Sequence, residues 1–349
     1  MGVKTGALRL CYATIFAVAL SANVHALTPI GEQQGWSGYV MAGVGNTDVK
    51  SNTVAGNEVI DGGKNIIGSI NDNPRSTDTG HWIAGFEVNY TLENRNQVFL
   101  GSSLQDQLTM DFGSQLGWRW QTESAGIFQL GYLFTGVPAE VWEDPYEVGV
   151  KRKATERDSE GVRFVWDKII GSAFEFTAQV RQIDVHRERS GSDSSLGCDP
   201  DCQSMLERSG DQYQLWLSYT FIQNGRHIFR PQLRYRQNDS DGNAMSRDAY
   251  ALQLSYSYML PRWIFVANAI YGESTYDRSN PLYGIKQDTE TTAIDATVLY
   301  RLPIEGGRWQ LLGSVFWGEA DSDINFHDSE LNQVLLSVIY NFGIQPRLQ

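Results

Sequence analysis

The chain has 349 residues, with 28 Lys plus Arg against 41 Asp plus Glu and a formal net charge of -13, a balance that argues against nucleic acid as a partner. Its negative mean hydropathy does not exclude a membrane, because a β-strand that spans lipid need be apolar only at every second residue. Aromatic residues make up 12% of the chain, with 10 Trp and 16 Tyr, and these suit the two membrane–water interfaces.

At the N-terminus, Lys4 and Arg9 precede an apolar stretch over residues 10–22, and Val24, His25 and Ala26 follow with small residues at the cleavage positions. Residues 1–26 therefore read as a secretory signal peptide, and residues 27–349 as one exported domain. Of the cysteines, Cys198 and Cys202 remain after cleavage, separated by Asp199, Pro200 and Asp201. This turn-forming spacing in an oxidising compartment predicts a loop disulfide. A metal site would need further ligands that the sequence does not place beside it, so neither a metal nor a cofactor is expected.

After a short leader, a first strand blurred by glycine covers about residues 36–45, and a long polar segment follows at 46–78. The second strand has the clearest pattern: Trp82, Ala84, Phe86, Val88, Tyr90 and Leu92 share one face, and Glu87, Asn89 and Thr91 the other. The same alternation predicts strands at about 97–103, 107–121, 126–135, 160–167, 173–186, 211–221, 228–237, 248–260, 263–272, 291–302, 309–318 and 330–342. Connections alternate between short turns, such as Pro261 and Arg262, and long polar segments, such as 187–210 and 273–290.

The last strand sets Val334, Leu336, Val338, Tyr340 and Phe342 on one face. A sheet crosses lipid only when every edge is paired, so this strand must meet the first and close a cylinder. The fold expected is an all-β, membrane-spanning, antiparallel up-and-down β-barrel of 14 strands over about residues 36–342. Short turns would lie in the periplasm with both termini, and long loops outside. Val338, Tyr340 and Phe342 would serve as the assembly signal, with outer-membrane lipid and the outer-membrane barrel assembly machinery as partners. Phe342 is not terminal, since residues 343–349 follow it.

Leu27-Thr28-Pro29-Ile30, Glu32-Gln33 and Gly35-Trp36-Ser37-Gly38 resemble the opening of a family of gamma-proteobacterial outer-membrane proteins known only as a domain of unknown function. The likeness extends to Asp321-Ser322-Asp323-Ile324-Asn325-Phe326. It implies a single barrel domain in the cell outer membrane, and it brings no substrate or catalytic residues. Outer-membrane fatty-acid transporters are also similar to fourteen-stranded barrels, but they carry a sizeable N-terminal plug that residues 27–35 are too few to supply.

With the apolar face toward lipid, Glu87, Asp111, Arg119, Arg163, Glu175, Arg181, Arg234, Arg236 and Asp295 fall in the lumen. Fourteen strands leave room for a moderate bore, so the first reading is a passive channel for small hydrophilic solutes, sorted by these charges. The alternative is a closed lumen filled by paired charges, in a protein that acts through its loops as a surface interaction or structural protein. An outer-membrane hydrolase is a third reading. His81 or His327 with Asp328 could sit at the outer rim, but no G-x-S-x-G nucleophile motif accompanies them, and the chain is not expected to be an enzyme. Asp321, Asp323 and Asn325 imitate half of a calcium loop, but Phe326 and Asn332 replace the glycine and glutamate such a loop requires.

Overall fold

In the computed structural model, residues 27 to 343 are described, apart from 28, 58, 64 and 103 to 111. Fourteen strands form the barrel: β1 (Gly35–Lys50), β2 (Ser76–Thr91), β3 (Asn96–Ser102), β4 (Phe112–Thr122), β5 (Gly126–Val137), β6 (Ala154–Asp167) and β7 (Phe174–Val185). The others are β8 (Gly210–Tyr219), β9 (His227–Ser240), β10 (Arg247–Met259), β11 (Trp263–Tyr276), β12 (Thr289–Arg301), β13 (Trp309–Ser322) and β14 (Ser329–Gly343). Each pairs antiparallel with the next, and β1 closes the ring on β14 from Ser37↔Gly343 to Lys50↔Glu330. Among the described residues every barrel strand has a neighbour on each side, so the sheet closes on itself.

Several strands run further than the alternation predicts, all toward the long-loop end. β1 continues to Lys50, β2 starts at Ser76 and β6 starts at Ala154, so much of the polar sequence there is strand that clears the lipid. The expected loop at 319–329 shrinks in the same way to residues 323–328. One strand is cut short instead. The β8–β9 ladder ends at Ser218↔Gln232, where Pro231 comes next and has no N–H to donate; a separate piece, Phe221–Gln223, resumes pairing at Phe229.

The outward face follows the alternation. Val44, Leu100, Leu130, Val180, Leu233, Leu252, Ile294 and Leu336 are all exposed and form an apolar belt. At the short-turn end the belt is bordered by aromatic pairs, with Trp36 against Tyr90 at 4.9 Å, Trp263 against Tyr300 at 4.4 Å and Trp309 against Tyr340 at 4.7 Å. Trp82, Tyr213, Tyr250 and Tyr271 border the other end. From Tyr90 to Trp82 is eight residues of β2, about 27 Å along the strand, which matches a tilted strand crossing a ~25 Å apolar band. A closed sheet with this girdled belt is an outer-membrane barrel.

Candidate functional site

The barrel interior and the loops over one mouth are the places where the chain departs from what lipid alone demands. Inward positions on β2 to β10 are polar and rich in arginine. Arg119 on β4 grips Glu87 of β2 with two N–H groups, at 3.1 Å to each carboxylate oxygen, and also donates to Asn89 at 3.0 Å and to Gln129 at 2.7 Å. Its guanidinium lies 4.0 Å over the Phe99 ring. This bidentate pairing is the strong form of a carboxylate contact, and it ties β2, β3, β4 and β5 together across the interior.

Further round, Trp216 of β8 points inward between two arginines, with Arg163 at 5.6 Å and Arg234 at 5.4 Å from its ring. Arg163 donates to Gln179 at 2.7 Å. Arg234 donates to Gln232 at 2.7 Å and also to Gln253, which reaches Asn268 at 3.2 Å; Asn268 in turn donates to Asp295 at 2.8 Å. Arg230 binds Glu175 at 2.6 Å and Ser218 at 3.0 Å, and Arg181 donates to Ser159 at 3.3 Å. Arg236 lies two residues beyond Arg234 on the same face and is half-buried. Among the described residues, Glu175 Oε2 and Asp295 Oδ2 are buried with no hydrogen-bond partner. Asp111 lies outside the described residues.

The opposite wall was not legible as such. Met41, Ile83, Leu299, Leu312, Leu335 and Ile339 form an apolar cluster inside the barrel, so β14 is apolar on both faces for part of its length. Gly45 makes room for it: a Cβ there would lie 2.3 Å from a Leu335 methyl and 2.9 Å from the His81 ring. Nearer the long-loop end, Val49, Ile270, Ala293, Phe316 and Leu331 form a second cluster with Ile60, a residue of the first long loop that reaches down into the barrel.

That mouth is capped. Ile67, Tyr146, Leu206, Ile324 and Phe326 come from four different loops and make one buried core, with Met245, Leu282 and Tyr283 added from two more. Tyr146 stacks on Phe326 at 5.4 Å, and its hydroxyl meets Asn280 at 3.2 Å and His327 at 3.3 Å. A short strand, Val54–Gly56, pairs with Ala139–Trp142. Asp144 fixes the cysteine loop by accepting from the N–H groups of Gly191 at 3.0 Å and Asp193 at 3.1 Å. Arg152 holds the carbonyls of Asn52 at 2.6 Å and Pro145 at 2.8 Å. Cys198 and Cys202 are joined, with their Cα atoms 5.3 Å apart, across a helical turn, Pro200–Ser204.

Burial sets the charge states in the cap. His327 is pushed down to about 3 by loss of water and by Arg208, so its ring is neutral, and it is half-buried in the cap against Tyr146 and Phe326. Burial raises Asp328 to about 6. Burial alone would raise Glu188 too, but Arg208, 2.7 Å away, holds it below the ordinary carboxylate range. His81 lies apart from His327 and bonds Thr47 at 2.8 Å.

The other mouth is narrowed by the leader. Leu27 and Ile30 pack inside on Ile127 and Val165, Ile30 N–H donates to Gln121 at 2.8 Å, and Glu32 pairs with Arg95 at 2.5 Å.

Trp216, Arg230, Gln253 and Asn268 take part in the interior network without having been singled out from the sequence. Parity could have found them. Arg230 shares the phase of Arg234 and Arg236, and Trp216 that of Gln212, Gln214 and Ser218, so both point inward even though tryptophan is a typical lipid-facing residue.

Among curated proteins, no sequence matches this one. Solved structures similar to this chain include a FadL homologue of Pseudomonas aeruginosa, at 12% identity over 88% of this chain and 90% of that one, with a TM-score of 0.45. An outer membrane channel from Pseudomonas putida F1 is similar at 10% identity over 93% and 100%, TM-score 0.45. The outer membrane channel DcaP of Acinetobacter baumannii is similar at 11% identity over 88% and 97%, TM-score 0.39. The model of one family matches residues 35–341, and the chain belongs to that family, described as a protein of unknown function (DUF2860).

Proposed function

We propose that this barrel is a channel for small hydrophilic solutes that its long loops hold shut at rest. The observation that carries this reading is the polar wall. Burying arginines and carboxylates is costly, and a barrel with only a structural task could be filled by apolar side chains, as the opposite wall is. The lid over the polar wall is made of loops, which can move without opening the sheet. Among the described residues, Arg119, Arg163, Arg181, Arg230, Arg234 and Arg236 outnumber Glu87, Asp167, Glu175 and Asp295 along the inward face, so an open path favours anions.

In this reading, residues 1–26 direct export in a Gram-negative cell, residues 27–349 form one domain, and an even strand number leaves both termini in the periplasm with the cap outside. Assembly machinery reads Val338, Tyr340 and Phe342. No enzymatic role is assigned, since His327 is locked neutral in the cap and His81 is engaged with Thr47.

The second reading, a closed barrel that acts through its outer surface, is favoured by one observation: inward Arg163, Arg181, Gln179 and Gln253 are all nearly inaccessible. Single-channel recording separates the two. Wild-type protein should show rare openings, and Phe326→Ala with Tyr146→Ala, which empties the cap core, should give steady current. Arg163→Glu with Arg234→Glu in that background should move selectivity toward cations. Silence in both the wild type and the cap variant, with a folded barrel verified by heat-modifiable mobility, would overturn the channel in favour of the surface protein.

A further inference from the structure

A second constellation stands on the outer face, above the apolar belt at the long-loop end. Asp158 of β6 and Asp184 of β7 are direct cross-strand partners. Two residues further out the ladder continues, with the His186 N–H donating to the Glu156 carbonyl at 3.1 Å. All four residues share the phase of the exposed Val162 and Val180, so they form a square of side chains on the rigid outer surface of two long strands. His186 Nε2 lies 2.9 Å from an Asp158 oxygen and 3.9 Å from an Asp184 oxygen, while Nδ1 lies 3.6 Å from Glu156.

Two carboxylates directly opposite each other on a sheet repel, and a cation between them removes the penalty. Ligands held at about 2.0–2.2 Å from a small divalent ion sit about 3.0–3.5 Å from one another, and one ligand atom each from Glu156, Asp158 and His186 lies within 4.8 Å of the other two, so these three side chains can converge on one ion. Arg187, next to His186, is turned to Glu143 at 3.2 Å, and Arg157, between Glu156 and Asp158, has the inward phase of Arg163.

We propose that Glu156, Asp158 and His186 bind a divalent first-row metal ion, zinc being well suited to one imidazole and two carboxylates, with Asp184 beside them adding negative charge. The remaining coordination positions face outward and are open to water or to an oxyanion. The site is independent of the channel reading, since it lies on the other side of the wall.

The test is titration of the full-length purified barrel in detergent with zinc, by calorimetry, and with cobalt(II), by visible absorption. One equivalent should bind, with a cobalt band showing nitrogen and oxygen ligation. His186→Ala should weaken binding more than about 100-fold and abolish the band. Glu156→Gln should weaken it more than about 10-fold, as loss of a charged ligand, while Asp184→Asn should weaken it less than about 10-fold and keep the band. Glu319→Gln with Glu330→Gln, a change to another outer-face acidic pair, should have no effect. Heat-modifiable mobility verifies that each variant is folded. Absence of a one-equivalent site, or binding that survives His186→Ala, would overturn the assignment, and equal loss in the Glu319/Glu330 control would show nonspecific surface attraction only.

Discussion

The two halves of the barrel interior share one outer pattern and are filled in opposite ways. From β2 to β9 the inward positions carry Glu87, Arg119, Arg163, Glu175, Arg181, Arg230 and Arg234 in a hydrogen-bonded network. From β12, beyond Asp295, through β14 to β1 they carry Leu299, Leu312, Leu335, Ile339 and Met41 packed on one another. Lipid dictates the outward residues of both halves alike, so those residues report only that a strand spans. The inward residues are free to differ. Since the apolar half shows that this barrel can be filled without charge, the charged half calls for a reason other than stability.

The comparison breaks most sharply at Arg230 and Glu175, whose carboxyl is nearly inaccessible at 5% exposure. Arg230→Ala strands that carboxylate and should cost about 3–5 kcal/mol, measured by denaturant unfolding in detergent. Replacing the whole pair, Arg230→Met with Glu175→Gln, makes the charged wall resemble the apolar one and should recover most of the loss. A single variant as stable as the wild type would mean that water reaches the pair and that the wall is already open.

Leu335 and Leu336 sharpen the contrast from adjacent positions. Leu335 is buried inside and Leu336 is 62% exposed to the outside. Leu335→Ala should cost about 2–5 kcal/mol by leaving a cavity in the apolar wall, while Leu336→Ala should cost little in the same unfolding assay. Leu336→Lys places a charge in lipid and should cost about 2–4 kcal/mol, whereas Phe342→Lys, near the interface, should cost about 1 kcal/mol or less unless the assembly machinery reads that residue. Yield of inserted barrel in cells, set beside stability in detergent, distinguishes these two roles for Phe342.

Fourteen strands were legible because period-two patterning is imposed by lipid on one face of every strand, as in Trp82 to Tyr90 or Phe174 to Val180. The positions of Arg119, Arg163 and Arg234 followed from the same parity. Three features did not. Leu335 and Ile339 break the alternation, because a filled interior accepts apolar residues that an aqueous bore would not. The cap joins Ile67, Tyr146, Leu206 and Phe326 from loops far apart in the chain, and no local pattern marks residues whose only common property is where the barrel brings them. His327 looks like a rim residue beside Asp328, and only the structure shows it half-buried against Tyr146 and Phe326.

The smallest effect belongs to the cap, where two half-buried groups titrate in opposite senses. Opening the cap returns His327 from about 3 to its ordinary value near 6.5, so the open form alone gains a proton as pH falls below about 6.5, and closure is weakened. Asp328 falls from about 6 to its ordinary value near 3.8 on opening. The closed form alone therefore gains a proton between about 6 and 4, and closure is strengthened there. At pH 5 the histidine contributes about 2 kcal/mol toward opening and the aspartate about 1.4 kcal/mol toward closure, so the wild-type cap should loosen by less than about 1 kcal/mol between pH 7.5 and 5. Asp328→Asn removes the opposition and should steepen the loosening to about 2 kcal/mol. His327→Gln should reverse its sign, so that acid tightens the cap. Protease susceptibility of the loop around Leu206, followed against pH in the three proteins, reads this directly, and identical pH profiles would mean that His327 keeps access to water when the cap is closed.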